Sequence, residues 1–136
     1  MKKMSTANQQ TFLDITALVL RLLVACLMLT HGLPKLSKLM AGGEIKFPDP
    51  IGVGSAFSLG LAVFAEVICS ILIGIGLFTR WATLPLIITM LVAVLIVHAE
   101  DPIAKKEEAL LYFAIYLAIL LIGSGKFAID YLIKKR

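Results

Sequence analysis

Charge is scarce in this chain. Asp, Glu, Lys and Arg make up 16% of its 136 residues, whereas 60% are hydrophobic and the mean hydropathy is +0.96. A soluble domain of this length has too little interior to hide so much apolar surface, so a soluble fold is excluded. Cysteine is scarce too: Cys26 and Cys69 sit inside apolar runs and form no C-x-x-C spacing. They read either as small core residues or as a redox pair at similar depth. Metal-ligand spacing, a c-type haem motif, a nucleotide-binding glycine loop and a nucleophile elbow are all missing. No metal is therefore expected, and a cofactor has to be lipophilic and held between helices, such as a quinone. No polar segment is long enough to fold alone, so residues 1–136 read as one transmembrane domain. The formal charge of +4 comes from loops and tails. It points to topology and attraction to the membrane surface, not to nucleic acid.

What the chain has in quantity is long apolar stretches, and Leu61–Arg80 is the most informative of them. It is long enough to cross a bilayer, yet it contains Glu66. A carboxylate at that depth faces protein or water, not lipid. Ala62, Glu66, Ser70 and Gly74 recur at intervals of four, and small residues on such a ridge let membrane helices approach closely. The expected fold is all-α, an integral membrane bundle of four transmembrane helices at about 15–32, 57–78, 81–98 and 108–122. Met1–Thr11 reads as a polar tail. Gly32 and Pro34 are expected to end the first helix, Thr79-Arg80 to turn the chain, and Pro85 to fall in the first turn of the third helix. Leu23-Val24-Ala25-Cys26 looks like a lipoprotein cleavage box, but Arg21 interrupts the apolar run before it, so the segment reads as a permanent span. Lys126–Arg136 reads as a basic amphipathic tail.

Four spans put both termini on one side. That side, with Arg80, carries seven cations and two acids, against five cations and six acids on the other. Both termini are accordingly expected in the cytoplasm. On this topology Glu66 lies about 21 Å above Arg80, and Arg21 about 10 Å above Asp14. His31, Lys35, His98, Glu107 and Glu108 fall at the outer end, with Tyr112 one turn below Glu108. The candidate site is a polar cavity opening outward, with Arg21 at its floor and Glu66 on its wall; Arg21, His31, Lys35, Glu66, His98, Glu108 and Tyr112 are its members. Simpler roles compete: Arg21 snorkelling to headgroups, the histidines lying at the interface, and the paired glutamates favouring a helix N-terminus.

These residues also carry a family likeness. Arg21, His31-Gly32-x-x-Lys35, Ala65-Glu66 leading to Gly76-Leu77-Phe78-Thr79-Arg80, and Asp101-Pro102 before Glu108-Ala109-Leu110-Leu111-Tyr112 resemble the DoxX family in order and spacing. The closing Gly123-Ser124-Gly125-Lys126-Phe127-Ala128-Ile129-Asp130 is similar to the family's G-P-G-R-x-S-L-D, with Ser124, Lys126 and Ala128 departing from it. The resemblance implies a multi-pass protein of the bacterial inner membrane, associated with quinone- or thiol-linked redox systems, while distant relatives act as membrane chaperones or cargo receptors. Two functions follow. In one, the chain is a redox subunit that binds quinone, works with a soluble redox partner, and uses Glu66 and a histidine as proton relays. In the other it is a non-enzymatic scaffold, alone or as a homo-oligomer in the lipid bilayer, in which Arg21 and Glu66 form a structural pair. Transport of a small anion or proton is weaker, because four helices leave little room for alternating access.

Overall fold

The computed structural model describes residues 5–136, and among them every regular element is helical. Helix α1 spans Thr6–Ala41, α2 Ser55–Ile75, α3 Thr79–Val97 and α4 Ile103–Ile122, and a short α5 covers Ile129–Lys134. The buried residues of α1 are Asp14, Ala17, Arg21, Val24, Ala25, Met28 and Gly32, a stripe at the three-and-four spacing of a helix facing one partner surface. The opposite face, with Phe12, Ile15, Val19, Leu22, Leu23 and Leu27, is exposed. Large apolar side chains face outward all round the bundle, while Asp14, Arg21, Glu66, Ser70, Thr79 and Thr83 are buried. Such a distribution suits lipid as solvent. Three helices, α1, α2 and α3, are long and apolar enough to cross a membrane.

Several expectations about boundaries are corrected. Helix α1 does not stop at Gly32 and Pro34; Pro34 lies inside it. Proline removes one N–H and normally interrupts a helix. Here packing prevails, because Leu36 and Leu39 beyond the proline join Ile45 and Phe47 against buried Leu59, Val63 and Val67. The tail expected over residues 1–11 is helical from Thr6, and its first four residues lie outside the described ones. Pro85 sits within α3 rather than in its first turn. Cys26 faces outward and Cys69 is buried, and both are free thiols.

Two helices contain a wider π turn: α2 over Phe64–Cys69 and α3 over Ala93–Val97. Such turns insert one extra residue and recur at functional positions. The π turn of α2 carries Glu66. Helix α2 ends at Gly76, whose φ of 77° lets Leu77 N–H return to the Leu72 carbonyl at 2.9 Å, a left-handed stop.

Candidate functional site

The charged groups inside the bundle fall into two separate centres. In the first, α1 passes so close to the π turn of α2 that a Cβ on Gly32 would stand 2.9 Å from the carbonyl carbon and oxygen of Glu66 and 2.8 Å from Val67 Cγ2. Glycine is required there by space. Three residues on, at helical spacing, Lys35 Nζ donates to both carboxylate oxygens of Glu66, at 2.6 and 2.7 Å. The Glu66 side chain is 4% exposed and that of Lys35 31%. The pair thus runs from the helix seam towards the open side, and the Phe47 ring lies 5.9 Å from the ammonium. The His31-Gly32-x-x-Lys35 spacing acquires a physical meaning: the glycine permits contact and the lysine neutralises the acid that contact buries.

Lys35 and Glu66 line a cleft of about 330 Å³, with His98, Ser58 and Thr89 as its other polar residues. Its other walls are mainly apolar, including Leu61, Ile88, Val92 and Val97, and the loop residues Phe47, Pro48, Pro50 and Ile51 border it. The loop is fastened by Asp49, which accepts from Val53 N–H at 2.9 Å, Gly54 N–H at 2.8 Å and the Ser58 hydroxyl at 2.9 Å. Led by the Gly54 N–H, these donors hold the Asp49 carboxyl below the usual carboxylate range. His98 Nδ1 lies 2.7 Å from Asp101 Oδ2, and that hydrogen bond is the main reason Asp101 is also lowered. Beside the cleft, His31 Nε2 meets Glu108 Oε1 at 2.8 Å, and the His31 ring stands edge-on to Tyr112 at 5.8 Å. Tyr112 stacks at 6.2 Å on the fully buried Tyr116.

Arg21 belongs to the second centre, so the expected Arg21–Glu66 pair is absent and Arg21 is not the floor of the cleft. Its guanidinium is 1% exposed and donates only to backbone carbonyls: Ile73 at 3.0 Å, Gly74 at 3.2 Å, Phe127 at 3.1 Å, and Ser124. The reason is register. Helices α1 and α2 run antiparallel, with Gly32 against Glu66 and Ala25 against Gly74. Ile73 and Gly74 lie two turns, about 10–12 Å, from Glu66 along α2. Arg21 therefore reaches the last turn of α2, where carbonyls run short of helical partners, although that of Ile73 also accepts from Gly76 N–H at 3.1 Å. The segment after α4 completes this centre. Lys126 N–H donates to Asp14 at 3.1 Å, and the Asp130 carboxylate accepts from Phe78 and Thr79 N–H at 2.8 and 2.9 Å, capping α3.

Of the residues singled out in the sequence, Lys35, Glu66 and His98 share one cleft, His31, Glu108 and Tyr112 cluster beside it, and Arg21 stands apart. Phe47, Asp49, Asp14 and Asp130 were not singled out. Asp130 had a signal, as the end of the closing glycine-rich stretch; Asp14 and Asp49 had none beyond being acids beside apolar segments.

A helical bundle with its apolar residues turned outward and its charges joined within is a multi-pass membrane protein. The chain belongs to the DoxX family, whose family model matches residues 16–99, a span that includes Arg21, His31, Lys35, Glu66 and His98. It is also similar to an uncharacterized protein of Haemophilus influenzae, at 34% identity over 121 residues, covering 82% of this chain and 85% of that relative. No solved structure matches.

Proposed function

We propose that this protein is a membrane subunit or accessory of a quinone- or thiol-linked redox system, set in the bacterial inner membrane with both termini in the cytoplasm. In this reading α4 is the fourth span, with Lys105, Lys106, Glu107 and Glu108 at its outer end and an apolar remainder from Ala109 to Ile122. The observation that carries the reading is a charged pair, Lys35–Glu66, lining a mainly apolar cleft. Pockets for lipophilic ligands combine apolar walls with a few placed polar groups.

The cleft residues fit a quinone: Leu61, Ile88, Val92 and Val97 offer apolar walls, and Lys35 and His98 offer donors. A bound quinone would supply an acceptor for two electrons and two protons. Lys35 would hold a carbonyl oxygen of that group, with Glu66 as the counter-charge of the lysine. His98, with Nδ1 engaged by Asp101, leaves Nε2 for proton exchange. The loop over Phe47–Ile51 adds apolar wall to the cleft. A soluble partner delivers or removes the electrons. Arg21, with its donors directed to four carbonyls, is left out of ligand binding.

The second reading is a non-enzymatic scaffold or chaperone, alone or as a homo-oligomer. It is favoured by the same ion pair seen as a bond between helices, because Lys35 already occupies both oxygens of Glu66. Native mass spectrometry with lipid extraction, on gently solubilised wild type and Glu66→Gln, separates the two. Quinone retained by the wild type and lost from the variant is the expected result. No quinone on either, with the variant unfolding sooner and the Lys35→Glu/Glu66→Lys exchange restoring stability, would make the pair structural.

A further inference from the structure

On the side of the termini, a second cavity of about 800 Å³ opens between the start of α1, the start of α3 and the segment after α4. Three cations among the described residues line it, Arg80, Lys126 and Lys134, together with Trp81 and Tyr131. Among the described residues, no carboxylate lies within ion-pair distance of any of the three. Two carboxylates, Asp14 and Asp130, do line the cavity, but both are engaged by backbone N–H groups. Neither pairs directly with Arg80, Lys126 or Lys134, so the cavity keeps a net positive lining of three cations against two acids. Arg80 is held in place: its guanidinium reaches the Leu121 carbonyl at 3.5 Å and packs over Gly123, where a Cβ would stand 3.4 Å from Nη2. The Lys126 ammonium lies 5.6 Å from the Phe127 ring.

The rim has the character of a membrane–water boundary. Trp81 is 74% exposed and Tyr131 42%, and amphipathic rings at headgroup level are typical of that depth. Exposed Ile122 and Ile133 continue the rim with apolar surface suited to acyl chains. The opposite face has acids among its lysines, so the excess of cations is local to this one.

We propose that this cavity is a binding site for an anionic phospholipid, with Arg80 and Lys126 on the phosphate, Lys134 on the rest of the headgroup, and Trp81 and Tyr131 at the glycerol level. Basic pockets between transmembrane helices on the cytoplasmic side hold acidic headgroups by the same chemistry. The ligand chemistry is a phosphate oxyanion, and the lipid is chosen over a soluble phosphate because apolar surface continues from the basic rim. This proposal is independent of the quinone reading, since the two cavities share no residue.

The test is native mass spectrometry of the full chain in mild detergent, titrated with phosphatidylglycerol, phosphatidylcholine, or glycerol 3-phosphate. Phosphatidylglycerol is expected to bind more tightly than phosphatidylcholine, and the Arg80→Gln/Lys126→Gln variant to lose about thirtyfold of that affinity, the effect of two nearby cations. Lys126→Gln keeps the backbone N–H that Asp14 uses, and Arg80→Lys, which preserves charge, is expected to lose less than the double variant. Thermal unfolding in the same detergent shows which variants are folded, and the comparison uses only those. Equal binding of the two lipids, or a folded double variant that still binds phosphatidylglycerol like wild type, would overturn the proposal. Displacement of the lipid by glycerol 3-phosphate at equal concentration would overturn the choice of lipid over a soluble phosphate.

Discussion

Replacing Gly32 with alanine adds a single methyl group, and two opposing effects decide its consequence. In a helix interior alanine is favoured over glycine by about 1 kcal/mol. Against this, the new Cβ would stand 2.9 Å from the carbonyl carbon and oxygen of Glu66 and 2.8 Å from Val67 Cγ2. Two of those three atoms are backbone and cannot rotate away, so α1 and α2 must separate. Overpacking of this kind costs about 1–3 kcal/mol, and rigid neighbours place the cost towards the upper end. The net expectation is a loss of about 1–2 kcal/mol. Gly60→Ala is the internal control: it lies on α2, and nothing within 4 Å meets a Cβ there, so only the helix gain of about 1 kcal/mol remains. Reversible unfolding in mixed micelles, followed by circular dichroism, should show the two variants moving in opposite directions from wild type. A Gly32→Ala protein as stable as Gly60→Ala would refute the close approach on which the Lys35–Glu66 geometry rests.

Arg21→Met removes the donors to four carbonyls at the end of α2 and after α4, and a loss of about 1–3 kcal/mol is expected in the same assay, with Arg21→Lys between it and wild type. Asp130→Ala uncaps α3 and should cost about 1–2 kcal/mol, with hydrogen exchange at Phe78 and Thr79 rising before exchange elsewhere. Asp49 is held below the ordinary carboxylate range, so its hold on the loop is complete above about pH 4 and is lost as pH falls through its lower folded value. The Val53 and Gly54 amide resonances should therefore stay fixed from pH 7 to about 5 and move only below about 4; movement near neutral pH would contradict the assignment.

How much of this was legible in the sequence depended on what each signal could encode. Runs of apolar residues as long as a bilayer is thick marked α1, α2 and α3, because lipid leaves a backbone no other way to satisfy itself. The small residues around Glu66 correctly placed it in a helix seam. Its partner was not legible, because depth computed from helical rise ignores register, and register was set by Gly32 and Gly74, where α1 and α2 come closest. Pro34 misled for a related reason: proline chemistry is local, while Leu36 and Leu39 gain their partners from α2 and the following loop. Asp130 was hidden differently. Its value lies in the two N–H groups of Phe78 and Thr79, about fifty residues away, and no periodicity connects them.

The carbonyls that hold Arg21 also fix an order of events. Ile73 and Gly74 follow the arginine by 52 and 53 residues, but Ser124 and Phe127 follow it by 103 and 106. At about 5–20 residues per second, α1 waits some 5–20 s between the synthesis of its arginine and that of the second pair of acceptors. For the first half of that interval the cation has none of these acceptors, and for the second half only those of α2. The buried cation is therefore fully partnered only once the segment after α4 is in place, so the last stretch of chain to be made closes a centre that the first helix opened.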